Sequence, residues 1–80
     1  MDDIQALAHI NELAAEEHEL QKKEPGGGLD EVGQARLHEI QIQLDQCWDL
    51  LRQRKARREF GEDPDDASLR APGVVEGYQQ

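Results

Sequence analysis

The stretch Leu44-Asp45-Gln46-Cys47-Trp48-Asp49-Leu50-Leu51-Arg52-Gln53-Arg54-Lys55-Ala56-Arg57-Arg58-Glu59 decides how this chain reads. It holds the one tryptophan, the one cysteine and five of the nine basic residues. Its character changes halfway. As far as Leu51 it is an amphipathic helical seam, and beyond that an almost purely cationic rod. The seam starts upstream at Leu37 and Ile40 and continues through Leu44, Cys47 with Trp48, and Leu51, alternating steps of three and four by which helices pair. Lys55 and Arg58 extend the same face, so the seam ends in charge.

Upstream, Asp30 suits the N-cap of this helix, although Gly33 stands where a capping box would place Glu. The spacing predicts a helix over 30–60, on the order of 45 Å long. Before it, Pro25-Gly26-Gly27-Gly28 is the clearest punctuation in the chain: proline stops a helix and glycines let the backbone reverse. A turn at 25–29 between two long helices gives antiparallel neighbours, an αα-hairpin. The first helix is expected over 3–24, roughly 30 Å, with Asp2 and Asp3 suiting its dipole. Ala6, Leu7, Ile10, Leu13, Ala14 and Leu20 fall on one side of it, with Glu17 in the middle of the stripe.

Closing the hairpin sets Leu13 opposite Ile40 and Ile10 opposite Leu44. Ala6 and Leu7 come opposite Cys47 and Trp48, small residues leaving room for the indole. On this reading Trp48→Ala is the most damaging single change, costing about 3–5 kcal/mol if the ring is buried. The second helix outlasts the first, so Arg54, Lys55 and Arg58 overhang the N-terminus near Asp2 and Asp3.

Composition supports an all-α chain. Hydrophobic residues make up 36% and charged ones 34%, with one Trp, one Tyr and one Phe, which leaves a sheet short of its usual builders. Eighty residues sit near the lower limit for a self-sufficient core, so the hairpin is expected to self-associate into a dimer or bundle, with Val32, Ile42 and Leu50 outside the main stripe adding contacts. A net charge of −9 argues against a general nucleic-acid or anionic-membrane binder. Within it, residues 52–60 form a cationic island of five bases and one acid. No apolar run approaches a membrane span, and the acidic start lacks the layout of a secretion signal. A single cysteine forms no intrachain disulfide. The expectation is a cytoplasmic protein that does not engage a membrane.

The chain divides into a helical hairpin, 1–60, and an acidic tail, 61–80, with Pro64, Pro72 and three glycines. The tail's composition predicts a largely extended segment that cannot fold alone. Residues 62–66 carry four acids, and a turn at Gly61 would lay them back along 54–58 to screen the cations.

With Glu16-Glu17-His18-Glu19-Leu20, then Leu44-Asp45-Gln46-Cys47-Trp48-Asp49-Leu50-Leu51-Arg52-Gln53-Arg54, and Val75-Glu76-Gly77-Tyr78, the chain resembles a family of short, uncharacterised actinobacterial proteins, a domain-of-unknown-function family. The resemblance spans nearly the whole length. At the hinge this chain has three glycines where that family has a more polar turn. The resemblance implies a helical hairpin and brings no activity with it.

Candidate chemistry is sparse. His9, His18 and His38 stand at different heights, and none follows a glutamate in the Glu-x-x-His pattern of carboxylate-bridged metal bundles, so they read as surface residues and no metal or cofactor is expected. Cys47 lies on the apolar seam without a second cysteine and reads as structural. The glycine run lacks the strand and the Lys/Ser context of a phosphate loop, and no nucleophile–base pair or carboxylate dyad stands out, so no enzyme is expected. Glu17 is either a rim residue with its head in water or a buried polar group fixing helix register, with Arg36 and His38 at matching height.

The structural seam is therefore Ile10, Leu13, Glu17, Leu37, Ile40, Leu44, Cys47, Trp48 and Leu51. The candidate partner-binding residues are Arg52, Arg54, Lys55, Arg57 and Arg58. They suit an acidic protein partner, the chain's own tail included. The alternative, phosphate-backbone binding of nucleic acid, lacks interleaved aromatics for base stacking. The function expected is a small interaction or regulatory module.

Overall fold

The computed structural model describes residues 1–23 and 27–77; Glu24 at the expected end of the first helix, Pro25 and Gly26 of the expected hinge, and Tyr78 near the end lie outside them. Helix α1 spans Asp3–Lys23 and helix α2 spans Glu31–Glu59. A 3-10 turn follows at Pro64–Asp66, then a short helix α3 at Pro72–Gly77.

Each long helix begins for a reason visible in the chain. The Asp2 carboxylate accepts the Gln5 amide proton at 2.8 Å while the Gln5 side chain accepts that of Asp2 at 2.9 Å, a reciprocal box that satisfies donors α1 leaves open. The Asp30 side chain caps α2 by accepting from the Gly33 N–H at 2.8 Å. Gly33 has a packing reason: a Cβ there would run into Leu29 Cδ1, and Leu29 is buried over this first turn. The C-terminus of α2 closes as a Schellman motif. The Glu62 N–H donates to Arg57 O at 2.7 Å and the Gly61 N–H to Arg58 O at 3.2 Å, with Gly61 at φ 73°.

The two long helices pack along Ile10, Leu13, Ile40 and Cys47, with Leu20, Leu44 and Leu51 partly buried around them. A second cluster joins three parts of the chain: Ala6 from α1, Leu50 from α2 and Ala67 from the tail. Leu50, outside the expected stripe, is 1% exposed. α2 thus has two partners, α1 on one side and the tail on the other, and its buried face is correspondingly wide.

The tail departs from a freely extended segment. Its backbone is irregular at 67–71, but the 3-10 turn and α3 both pack against α2, and Val75 is fully buried. The turn at Gly61 folds the acidic run back over the end of α2, and Asp63 holds the 3-10 turn by accepting from the Asp65 N–H at 2.9 Å. Among the described residues no helix is long and apolar enough to cross a membrane.

Candidate functional site

One side of α2 is polar, and it grips the tail. Gln46, Asp49 and Gln53 recur at three- and four-residue steps, so they share a face. The Gln46 side chain donates to Arg70 O at 3.1 Å, and that of Gln53 to Ser68 O at 2.9 Å. These bonds satisfy carbonyls in a stretch without regular structure of its own. Between them Asp49, 1% exposed, receives both arms of Arg70, with Nε at 2.9 Å, and a further bond from Gln53 at 2.9 Å. Arg70, then burial working against it, then Gln53 set the net result: the Asp49 carboxyl is held below its usual range. Among the described residues no buried side-chain polar atom lacks a partner.

The second junction is built on Arg54, a residue expected to be available to partners. It is instead buried, at 6% exposure. Its guanidinium donates to Asp3, to Pro64 O at 3.1 Å, to Asp65 at 3.1 Å and to Met1 O at 3.4 Å. The physical reason is convergence: the start of α1, the overhang of α2 and the folded-back tail meet at this height, and only a forked donor serves all three. Asp3 is held below its usual range by Arg54 first and Arg58 second, and Arg54 is held correspondingly upward.

Lys55, Arg57 and Arg58 are also engaged from within the chain. Arg58 reaches Asp3 at 3.0 Å, Arg57 reaches Glu62 at 3.4 Å, and Lys55 lies 4.0 Å from Glu59. Arg52, Lys55 and Arg58 are exposed and Arg57 half-buried. Arg52 borders a shallow hollow of about 310 Å³ with Asp49, Gln53, Ala56 and Arg70.

On the seam, Ile10, Leu13, Leu37, Ile40 and Cys47 are buried, and Leu44, Leu51 and Glu17 half-buried. Trp48 is not: it is 46% exposed. Leu50 draws the inner face of α2 toward the tail side, Cys47 takes the central position, and Trp48, 100° further round, falls at the open edge. Ala6 packs with Leu50 and Ala67, and Leu7 is 44% exposed. Ala14 is exposed as well. The hairpin therefore has two unlike flanks. The tail covers one, while Leu7 and Trp48 lie exposed on the other, with Leu44 half-buried beside them.

Arg36 does not serve Glu17. It forms a two-pronged pair with Glu16, at 2.6 and 2.8 Å, and lies 3.3 Å from Glu39. That pair, more than the opposing burial, holds Glu16 below its usual range and Arg36 upward. Burial pushes the Cys47 thiol upward, which suits a packing role over a reactive one. His18 and His38 are exposed and His9 half-buried, the last beside a hollow with Met1, Gln5, Ala8 and Glu12. Among the described residues no three of His, Cys, Asp and Glu gather where they could hold a metal ion.

Asp49, Arg70 and the two glutamines are structural residues that sequence patterning passes over, and Leu50, expected to add contacts between copies, packs within the chain instead. The available signal was the spacing of Gln46, Asp49 and Gln53, which by itself describes an ordinary solvated face.

Comparison with known proteins gives a lineage without an activity. Residues 2–80 match the family described as "Protein of unknown function (DUF2630)". The chain is 51% identical over 77 residues to Uncharacterized protein Rv0898c of Mycobacterium tuberculosis and, to the same extent, to Uncharacterized protein Mb0922c of Mycobacterium bovis; each alignment covers 95% of this chain and 88% of the relative. No solved structure matches. The chain belongs to the DUF2630 family.

Proposed function

We propose that this member of the family is a small, non-catalytic protein-interaction module that works through the flank left open by its tail. The observation that carries the reading is Trp48, 46% exposed between the half-buried Leu44 and Leu51, with Leu7 of α1 also exposed. Singly scattered apolar residues on a surface mean little, but contiguous ones flanking a tryptophan have the make-up of an interface centre. In this reading the protein acts in the cytoplasm, where its one buried thiol needs no partner.

The cationic segment supports a phosphate-backbone reading less well. Arg54, Arg57 and Arg58 each meet an acid of the same chain, so an incoming phosphate competes with contacts already made. The acidic partner that this segment suits is its own tail.

The test is affinity capture from cells of the source organism with the full chain and with Trp48→Glu as baits. The expected result is one defined partner, retained at moderate salt and lost with the variant. Identical capture by both baits overturns the reading. Binding that falls steeply with salt and survives Trp48→Glu favours the phosphate alternative instead.

A further inference from the structure

We propose that the partner covering the Trp48 flank is a second copy of this chain, stacked so that α1 of each copy lies antiparallel along α2 of the other. The inference rests on the reading of that flank as an interaction surface and commits it to one occupant.

The chain is a slab with extents of 50 × 26 × 16 Å and a radius of gyration of 14.9 Å, against about 12 Å for a compact domain of this length. Its accessible surface is 5484 Å², where a compact monomer of its mass exposes about 4,900 Å². The excess is of the order of the roughly 800 Å² that each partner buries in a standard interface. Stacking two such slabs through their uncovered faces removes surplus surface and doubles the thin dimension.

Charge selects the arrangement. Two twofold axes bring the same flank of two copies together. An axis across the helices stacks α1 antiparallel on α1, and residues 1–24 carry seven acids and two bases, so two net-acidic helices meet with only Lys22 and Lys23 to offset them. An axis along the helices stacks α1 on the partner's α2 in the antiparallel sense and at the height already used within one chain, where Asp3 meets Arg54 and Arg58. Asp2 and Asp3 then stand beside the exposed Arg52 and Lys55 of the partner subunit. Acidic helix meets cationic helix end at both edges of the interface.

Spacing agrees with it. At 100° per residue Gln41, Trp48 and Lys55 fall on the open side of α2 with Leu44 at its inner border, and Leu7, Ala14 and Gln21 on the open side of α1. In the axial arrangement Leu7 lies against Trp48 of the partner subunit, and the small Ala14 lets Gln41 of the partner subunit approach. The product is a four-helix bundle in which each helix has two antiparallel neighbours.

The experiment is sedimentation velocity on the full chain over roughly 1–100 μM, which spans a micromolar Kd, with Trp48 fluorescence followed over the same range. Expected are a concentration-dependent dimer and a blue shift as the indole leaves water. Trp48→Glu should stay monomeric with unchanged helical circular dichroism; should it lose helicity, the wild-type fluorescence shift carries the same test. Axis choice is read in a Cys47→Ala background by mixing chains bearing Ala14→Cys with chains bearing Gln41→Cys. Disulfides between unlike chains are expected, and links only between like chains overturn the arrangement. A monomer at the highest concentration, or a Trp48→Glu dimer, overturns self-association through this face. Failure here leaves the interaction reading standing if capture of another protein depends on Trp48, and both fall if it does not.

Discussion

Replacing Asp49 by alanine tests the most unusual feature of the fold, a carboxylate sunk into the junction between a helix and an irregular tail. Asp49 is 1% exposed and receives both arms of Arg70 together with Gln53. Hydrogen bonds to charged groups contribute about 1.5–3 kcal/mol each, though bonds sharing one acceptor do not add. The Arg70 side chain is 32% exposed, so once Asp49 is removed its guanidinium is open to water and escapes the full penalty of a buried charge. Gln53 keeps Ser68 O. The expected loss is about 2–3 kcal/mol, from a total of roughly 4–12 for a domain of this size. In melting temperature that is a fall of roughly 10–20 °C by circular dichroism, with faster protease cleavage within 61–71. Asp49→Asn, which keeps the Gln53 bond and one Arg70 bond, should lose about half as much. The sign with pH follows from the depressed carboxyl. Its contribution is present above the ordinary value of 3.8 and disappears as pH falls through the lower folded value, so the wild type should lose stability faster than Asp49→Asn below about pH 4. A melting point for Asp49→Ala within about 2 °C of the wild type, with unchanged protease resistance, refutes the reasoning.

Four further outcomes follow from the same contacts. Leu50→Ala should destabilise by about 2–5 kcal/mol in denaturant unfolding, because the side chain is enclosed between Ala6 and Ala67. Trp48→Ala should fall well short of the ~3–5 kcal/mol of a buried tryptophan when melted at low concentration, which reverses the ranking that helical spacing suggests. Gly61→Ala should cost about 1–2 kcal/mol in thermal melts, since φ of 73° is a left-handed conformation that disfavours a Cβ. Removing residues 61–80 takes away five acids and one base, shifting net charge from −9 to −5, and it frees Arg54 and Arg57 of Asp65 and Glu62. Heparin retention at low salt should rise for the 1–60 chain, and equal retention by both forms rules out screening by the tail.

The hairpin was legible because its signals are local. A Pro-Gly run interrupts two apolar stripes, and Ile10, Leu13, Ile40 and Cys47 meet as their spacing requires. Trp48 was misplaced because periodicity gives the direction of a side chain but not the width of the face that gets covered. The covering element on the other side, the tail, announces itself with few apolar residues. It is held by glutamine side chains on backbone carbonyls and by ion pairs to the buried Asp49 and Arg54, and those residue types look alike whether they face water or protein. Arg54 shows the same ambiguity: within a run of cations, nothing local distinguishes the one that is enclosed from those that are not. Its burial depends on residues 3 and 65 arriving together.

That meeting at Arg54 makes the two ends of the chain thermodynamically reciprocal. Met1 O and Asp3 bind the same guanidinium as Pro64 O and Asp65, so each end gains from the other having already fixed the donor in place. By linkage, the factor by which fixing one end strengthens attachment of the other is the same in both directions. An extension fused ahead of Met1 is therefore felt near Pro64, and a ligand that draws the tail away is felt as fraying at the first turn of α1. Hydrogen exchange at Gln5 and Ala6 becomes a reporter of events some sixty residues away in sequence and a few ångströms away in space.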